Sequence, residues 1–368
     1  MKDVFFVPSF GNRPKNLVGR EDVLRSFDVS LDSVPGSRDR ALLILGQRGS
    51  GKTVLLLELA EKAGKTGYIV ASPTIAANSM KTHILEKLMD AGKEYLPKEI
   101  RKISGGSISI LGFGGGIEFQ DEQGIPSSFQ RKIFDICRQI NKAGHPVLIL
   151  VDEVQSNHEE LKQLIVAYQE MVGAGIDVAM VLAGLPSSVS SVLNDHVLTF
   201  LNRAVKIELP PLKTNDIAAY YTDAFSGLGI SVSDRMINDA AEASEGSPYM
   251  MQLIGHYVTV YSDEKGKITK EKYLKALRNA REDFINDICR TTLNMLSEKD
   301  IEYLYAMSKD KNESRISSVC ERLGVSDAYV QTYKRRLIQS GVIKQVRRGV
   351  VDFDIPYLKE FLANTPDR

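Results

Sequence analysis

Eight residues constrain this chain more than any others. Gly46-Gln47-Arg48-Gly49-Ser50-Gly51-Lys52-Thr53 follows the apolar run Ala41–Leu45 and opens a helix-like stretch, Val54–Lys62. Strand, glycine-rich turn and helix in that order demand an α/β sheet with a phosphate-binding loop at one strand end. The glycines let successive N–H groups curl toward one phosphate, and the new helix adds its positive N-terminal end. In this reading Lys52 reaches the β- and γ-phosphates, and the Thr53 hydroxyl ligates Mg²⁺. A strand-to-helix turn without a ligand is the bland alternative, and it leaves Lys52 without a role. The expectation is a nucleoside triphosphate.

A chain of 368 residues suggests two or three domains. Its apolar fraction of 43% is ample for buried cores, and its charged fraction of 26% is that of a soluble protein. Lysine and arginine (47) balance aspartate and glutamate (47), so a nucleic-acid surface would have to come from local clustering. Cys137, Cys289 and Cys320 are odd in number and include no C-x-x-C pair, which reads as reduced, mostly buried thiols. The histidines are equally scattered, so no zinc site is expected. No apolar run approaches the roughly 18 residues of a membrane span. The start, Met1-Lys2-Asp3-Val4-Phe5-Phe6-Val7-Pro8, is too short and too acidic for a secretory signal. A cytoplasmic protein without membrane contact is expected.

Residues 1–20 form an extended lead-in ending in Leu17-Val18-Gly19-Arg20-Glu21, and a helix over about 21–32 precedes the first strand. Short apolar strands follow at Gly67–Ala71, Val147–Val151, Val178–Ala183 and Ala204–Leu209, with helices between them. Their continuous rather than alternating polarity suits strands buried on both faces of a parallel sheet. After Pro210-Pro211-Leu212 the pattern is helical through about residue 288, and a third unit spans roughly 293–368. Between Ser104-Gly105-Gly106 and Gly114-Gly115-Gly116 the polarity alternates, which fits either an inserted β-hairpin over 104–119 or a flexible loop.

Val147-Leu148-Ile149-Leu150-Val151-Asp152-Glu153 is a buried strand ending in two carboxylates. Burying an unpaired charge is costly, so two acids at such a strand end imply a task. Beside the phosphate loop, Asp152 can hold the Mg²⁺ water shell and Glu153 can polarise an attacking water. The alternative is a solvated strand end whose acids begin the next helix.

These residues resemble AAA+ ATPases, nearest the origin-recognition initiator branch and its bacterial and archaeal relatives. The resemblance rests on Gly19-Arg20-Glu21, the Gly46–Thr53 loop and Asp152-Glu153-Val154-Gln155. It rests also on Ala183-Gly184-Leu185-Pro186, the Arg203 segment and Gly246-Ser247-Pro248, and it spans about residues 5–260. It implies a P-loop core at 1–212 with a five-stranded parallel sheet of order 5-1-4-3-2, then an all-α lid at 213–288. It implies ATP and Mg²⁺ as ligands, adenine held partly by the 8–20 segment, with Val18, Gly19, Arg20 and Pro248 at the nucleotide. Arg203 matches the position where these ATPases offer an arginine to a neighbouring subunit's nucleotide; it could equally be a surface arginine capping a helix. Two departures stand out. The fourth strand ends in Ala183-Gly184, where a polar residue usually helps position water, with Ser187 and Ser188 only after a proline. Tyr249 follows Pro248 where an arginine often reaches the γ-phosphate. Each missing donor is worth about 10²-fold or more in rate, so robust binding and slow hydrolysis are expected.

The C-terminal unit has the cadence of a helix-turn-helix. A short helix carries Ile316, Val319 and Leu323, Gly324-Val325-Ser326 turns the chain, and a second helix spans Asp327–Ser340. Val330, Tyr333 and Leu337 form its apolar face, and Ala328, Gln331, Thr332, Arg335 and Gln339 lie opposite, suited to base edges. Lys334 and Arg336 lie to the sides, where phosphates would be. Strands Val342–Val346 and Val350–Phe353 follow, with Arg347-Arg348-Gly349 at the tip, so a winged helix is expected over 293–368. From 327 to 350 the bases Lys334, Arg335, Arg336, Lys344, Arg347 and Arg348 face one acid, Asp327. That clustering suits double-stranded DNA, and it also suits a basic face used for protein contacts.

The reading is an ATP-binding AAA+ ATPase that switches on duplex DNA, with a possible nucleotide-dependent homo-oligomer. Its rival is a signal-transduction NTPase of the STAND kind whose winged helix docks on protein. A transposition or plasmid accessory ATPase shares the same parts and is not separable from the first by sequence.

Overall fold

The computed structural model describes residues 5–8, 17–76, 79–97, 128–154, 159–193 and 198–365. The hairpin or loop expected at 104–119 and Gln155 lie outside the described residues. The first half alternates helix and strand as the apolar runs demand. It comprises α1 (Glu21–Asp32), β1 (Ala41–Leu45), α2 (Lys52–Lys65), β2 (Ile69–Ile75), α3 (Met80–Ala91) and α4 (Phe129–Lys142). β3 (Val147–Val154), α5 (Glu159–Gly173), β4 (Val178–Gly184), α6 (Pro186–Leu193) and β5 (Val205–Glu208) follow. The strands pair in parallel in the order β2-β3-β4-β1-β5, which is the expected 5-1-4-3-2 read from the other edge.

Both faces of the sheet are covered, which explains the strands' unbroken apolar runs. On one face Phe27 of α1 and Leu55 and Leu59 of α2 pack on Leu42, Ile44 and Leu148. On the other, Ile84, Ile133, Ile136 and Leu164 of α3, α4 and α5 pack on Leu43, Ile149 and Met180. Ligand crevices in such sheets lie beyond the carboxyl ends of the strands. The loops after β1, β3 and β4 open on that edge, which brings Gly46, Asp152 and Gly184 to one place.

The second half begins with α7 (Thr214–Gly227), α8 (Asp234–Ala243), α9 (Pro248–Tyr261) and α10 (Lys270–Phe284). Ser233, Ser247 and Thr269 cap the last three, each side chain accepting from an N–H in the first turn. A π-helical turn, Ile285–Arg290, carries α10 onward without a break. Then come α11 (Glu298–Ser308), β6 (Ser314–Arg315), α12 (Ile316–Leu323), α13 (Asp327–Gln339), β7 (Ile343–Arg347), β8 (Val350–Phe353) and α14 (Leu358–Ala363). Gly324 ends α12 in the left-handed region and the Ser326 hydroxyl caps α13, so a helix-turn-helix and a following hairpin occupy 316–353. β6, β8 and β7 make a small antiparallel sheet.

One apolar cluster runs through the whole second half, joining Tyr221, Ile254 and Phe284 to Tyr303, Leu304, Val330 and Leu337. Phe6 is buried in the same cluster against Tyr220, Tyr221 and Phe225, and Val7 N–H donates to Gln252 Oε1 at 2.9 Å. The N-terminal segment 5–8 therefore docks on the helical half and not on the sheet.

Candidate functional site

β1 delivers the chain to the loop, and Gly46 N–H is anchored by Gly184 O at 3.2 Å. Gly51 precedes α2 at φ +86°, a left-handed conformation that a side chain would strain. The Lys52 ammonium curls back to donate to Gly46 O and Gln47 O, both at 2.8 Å. Burial lowers the Lys52 pKa to about 8, only partly offset by the Asp152 carboxylate. A buried ammonium held by two carbonyls is poised to meet an anion.

The end of β3 faces this lysine's helix. Thr53 Oγ1 donates to Asp152 Oδ2 at 2.6 Å, and Asp152 is 4% exposed. A hydroxyl and a carboxylate at that separation are two hard oxygen donors of the kind Mg²⁺ takes together with phosphate. Glu153 is exposed and sits at φ +52°, where the pairing of β3 with β4 shifts register between Val151 and Val154. Such a backbone conformation costs about 1–3 kcal/mol in a non-glycine residue and is kept where its direction matters. It turns Glu153 off the buried strand while Asp152 stays in, and Asp152 Oδ1 accepts the Glu153 N–H at 2.8 Å.

A cleft of about 340 Å³ adjoins the loop, lined by Arg20, Gly46–Ser50, Glu208–Pro211, Glu245–Pro248 and Asp354. Arg20 is only 4% exposed, and its guanidinium donates to Ser50 O at 3.2 Å and Pro210 O at 3.0 Å. Burial lowers its pKa, so an anion in the cleft would relieve it. Arg20 and Pro248 thus line the cleft, as the family resemblance implies for a nucleotide. Val18 and Gly19 are not among the lining residues; a methyl group on Gly19 would lie 3.1 Å from Leu212 Cδ2. Tyr249 is beside the loop apex, since a methyl group on Gly49 would lie 3.5 Å from its Cβ. Its hydroxyl donates to Asp287 Oδ2 at 2.7 Å, on the π-helical turn.

Arg203 ends a short 3₁₀ segment, Thr199–Arg203, and is exposed. β5 pairs Val205 with Leu42 and Glu208 with Leu45, so Arg203 stands at the sheet edge opposite the loop. Val205 is level with Leu42, so strand rise alone sets it roughly 13 Å from Gly46, and Arg203 lies farther back still. It cannot serve its own chain's phosphates.

In α13, Thr332, Arg335, Arg336 and Gln339 are exposed, while Gln331 and Lys334 are half-buried. The basic cluster is partly paired within the chain. Arg336 contacts the buried Asp300 at 2.8 Å, Arg347 contacts Glu313 at 2.6 Å, and Lys344 contacts Asp354 at 3.3 Å. Among the described residues no ion pair involves Arg335 or Arg348. Gln331 leans on Asp327 and Lys334 on Gln345, both at 3.4 Å. α13 also packs against α6 of the sheet half.

Residues 16–174 match the model of the AAA ATPase domain. The chain carries an AAA ATPase domain. The matched residues hold the loop after β1 and the two acids at the end of β3. Residues 286–362 match a second model, described as a domain of unknown function. No curated protein matches the sequence. Among solved structures, the Walker-type ATPase PABY2304 of Pyrococcus abyssi is 16% identical with a TM-score of 0.68, covering 95% of this chain and 97% of that one. The ORC2 protein of Aeropyrum pernix, solved in ADPNP–ADP complexes, is 16% identical with a TM-score of 0.66, covering 97% of this chain and 95% of that one. Cdc6p of Pyrobaculum aerophilum is 15% identical with a TM-score of 0.51, again with 97% and 95% covered. At these identities the likeness is one of fold, and it extends over both halves. In the described residues of the AAA ATPase domain and beyond it, no helix is long and apolar enough to cross a membrane.

The sequence pointed to the loop, its acids, Arg20 and Pro248, but not to the rest of the cleft wall. Glu208, Pro210, Glu245 and Asp354 line it from three later segments, and no local pattern marks them.

Proposed function

We propose that this ATPase binds ATP with Mg²⁺ through Gly46–Thr53 and Asp152, hydrolyses it slowly with Glu153 activating water, and uses the nucleotide to set the posture of a DNA-binding C-terminal unit. The observation that carries the nucleotide reading is the Thr53–Asp152 contact at 2.6 Å beside the buried Lys52 ammonium. Slow turnover follows from Ala183-Gly184, which offers no polar side chain to position water, and from Tyr249, which stands where an arginine would reach the γ-phosphate. The working division is a core to about residue 212, a helical lid over 213–288 and a winged helix over 293–368.

The DNA reading rests on the helix-turn-helix and hairpin, with Arg335, Thr332 and Gln339 on one exposed face and Arg348 at the hairpin tip. Specific observations favour the rival, a signalling NTPase whose C-terminal unit docks on protein. Arg336, Lys344 and Arg347 already have acidic partners, so fewer bases are available for phosphates than the sequence count implies. Binding of the full-length chain to duplex DNA, with and without ATP, across a salt series decides between them. Salt-sensitive retention is expected. Indifference to DNA at low salt in both conditions would hand the C-terminal unit to a protein partner.

A further inference from the structure

Gln47, the second residue of the phosphate loop, is held by the far end of the chain. Its Nε2 donates to Asp354 Oδ2 at 2.7 Å, across 307 residues of sequence. The same carboxylate meets Lys344 of β7 at 3.3 Å. Gln47 Oε1 is buried with no donor, and a methyl group on Gly341 would come within 1.7 Å of it. Only glycine at 341, at φ +67°, lets the turn after α13 close on that amide. One side chain of the loop is thus clasped between the end of α13 and the end of β8.

The backbone of the clasped residue is equally engaged. Gln47 O accepts from Lys52 Nζ at 2.8 Å and from Ser50 N–H at 3.2 Å. Those are two of the donors that a phosphate in the loop draws to itself. Phosphate binding therefore reorganises the Gln47 peptide, and the Gln47 side chain carries that change to Asp354 and Gly341. Asp354 also places a carboxylate on the wall of the cleft proposed for the nucleotide.

We propose that Asp354 and Gly341 restrain the phosphate loop through Gln47, so that ATP binding and loosening of residues 341–356 form one coupled equilibrium. This rests on the ATP-binding reading and assigns it a relay. Coupling of this kind is reciprocal, so weakening the clasp tightens ATP.

The test uses the full-length chain, Gln47→Ala, Asp354→Ala, their double variant, and Asp354→Asn, which keeps an acceptor and guards against a folding defect. Affinity for a non-hydrolysable ATP analogue with Mg²⁺ is measured together with amide exchange over 341–356. Both alanine variants should bind the analogue about 5-fold tighter or more, and the double variant no tighter than the better single. Asp354→Asn should shift the same way by less. Saturating analogue should speed exchange over 341–356 in the wild type, and the alanine variants should already exchange fast without it. Affinities within twofold of wild type in all variants overturn the relay, as does exchange over 341–356 that ignores the analogue in a chain that binds it. If the wild type binds no better than Lys52→Ala, the ATP reading itself fails and the relay with it.

Discussion

Lys52 has to be both buried and charged, and the two demands oppose each other. Desolvation holds its pKa near 8, so the ammonium that attracts phosphate is present below that pH and lost above it. ATP affinity should be flat from pH 7 to about 8 and then weaken by up to about tenfold per unit. Lys52→Ala should bind far more weakly with no inflection, and a wild-type affinity that stays flat through pH 9.5 would mean that the charge is not what binds. The stability consequence has the opposite sense. A lysine whose folded pKa lies below its unfolded value destabilises the fold while protonated, and that cost is relieved as pH rises from about 8 toward 10.5. Glu153 differs because the role proposed for it is confined to turnover. Glu153→Gln should keep ATP affinity within about threefold and lower phosphate release by on the order of 10²-fold. Comparable loss of affinity in Lys52→Ala and Glu153→Gln would remove Glu153 from the role of activating base.

At the scale of elements, α13 and the β7–β8 hairpin separate arginines that hold the fold from arginines free for a partner. Arg336 donates to Asp300 Oδ2, which also accepts from Ser297 N–H and Oγ at the start of α11. Arg336→Ala should cost about 1–3 kcal/mol in denaturant unfolding, because Asp300 is left buried with one partner fewer. Arg335→Ala, on an exposed position, should cost less than about 0.5 kcal/mol while changing DNA sequence preference. Replacing Arg347 and Arg348 together should weaken all duplexes alike and reduce the salt slope by between one and two units, since Arg347 must first leave Glu313. An unchanged slope would take the hairpin out of the DNA contact. These elements were legible in sequence because their signals are local. Gly324 and Ser326 punctuate the helix-turn-helix, Gly51 opens α2, and β1 and β8 fall on their apolar runs. The ion pairs were not legible, since Asp300 and Glu313 lie 36 and 34 residues away from their arginines.

On the scale of the whole molecule, what the sequence concealed is contact between its ends. Phe6 sits in the helical half, Arg20 bridges the loop to Pro210, and Asp354 reaches Gln47. Each pairing is set by three-dimensional packing, and no period or punctuation encodes it. The apolar cluster that α7–α10 share with α11–α14 has the same origin, so DNA binding is best measured on the full chain. Arg203 poses the remaining question at this scale. It stands exposed on the sheet edge away from its own loop, so it either reaches a neighbouring subunit's phosphates or serves only the surface. A trans-acting arginine is worth on the order of 10³-fold in turnover, which makes the difference readable even if assembly is partial. If subunits pair around the nucleotide, ATP hydrolysis per subunit should rise with protein concentration, and sedimentation should show a larger species with ATP than with ADP. Arg203→Ala should flatten the rise while leaving ATP affinity at low concentration unchanged, because its own loop lies elsewhere. Turnover independent of concentration, and equal in wild type and variant, would leave Arg203 a surface residue and the chain a self-sufficient ATPase.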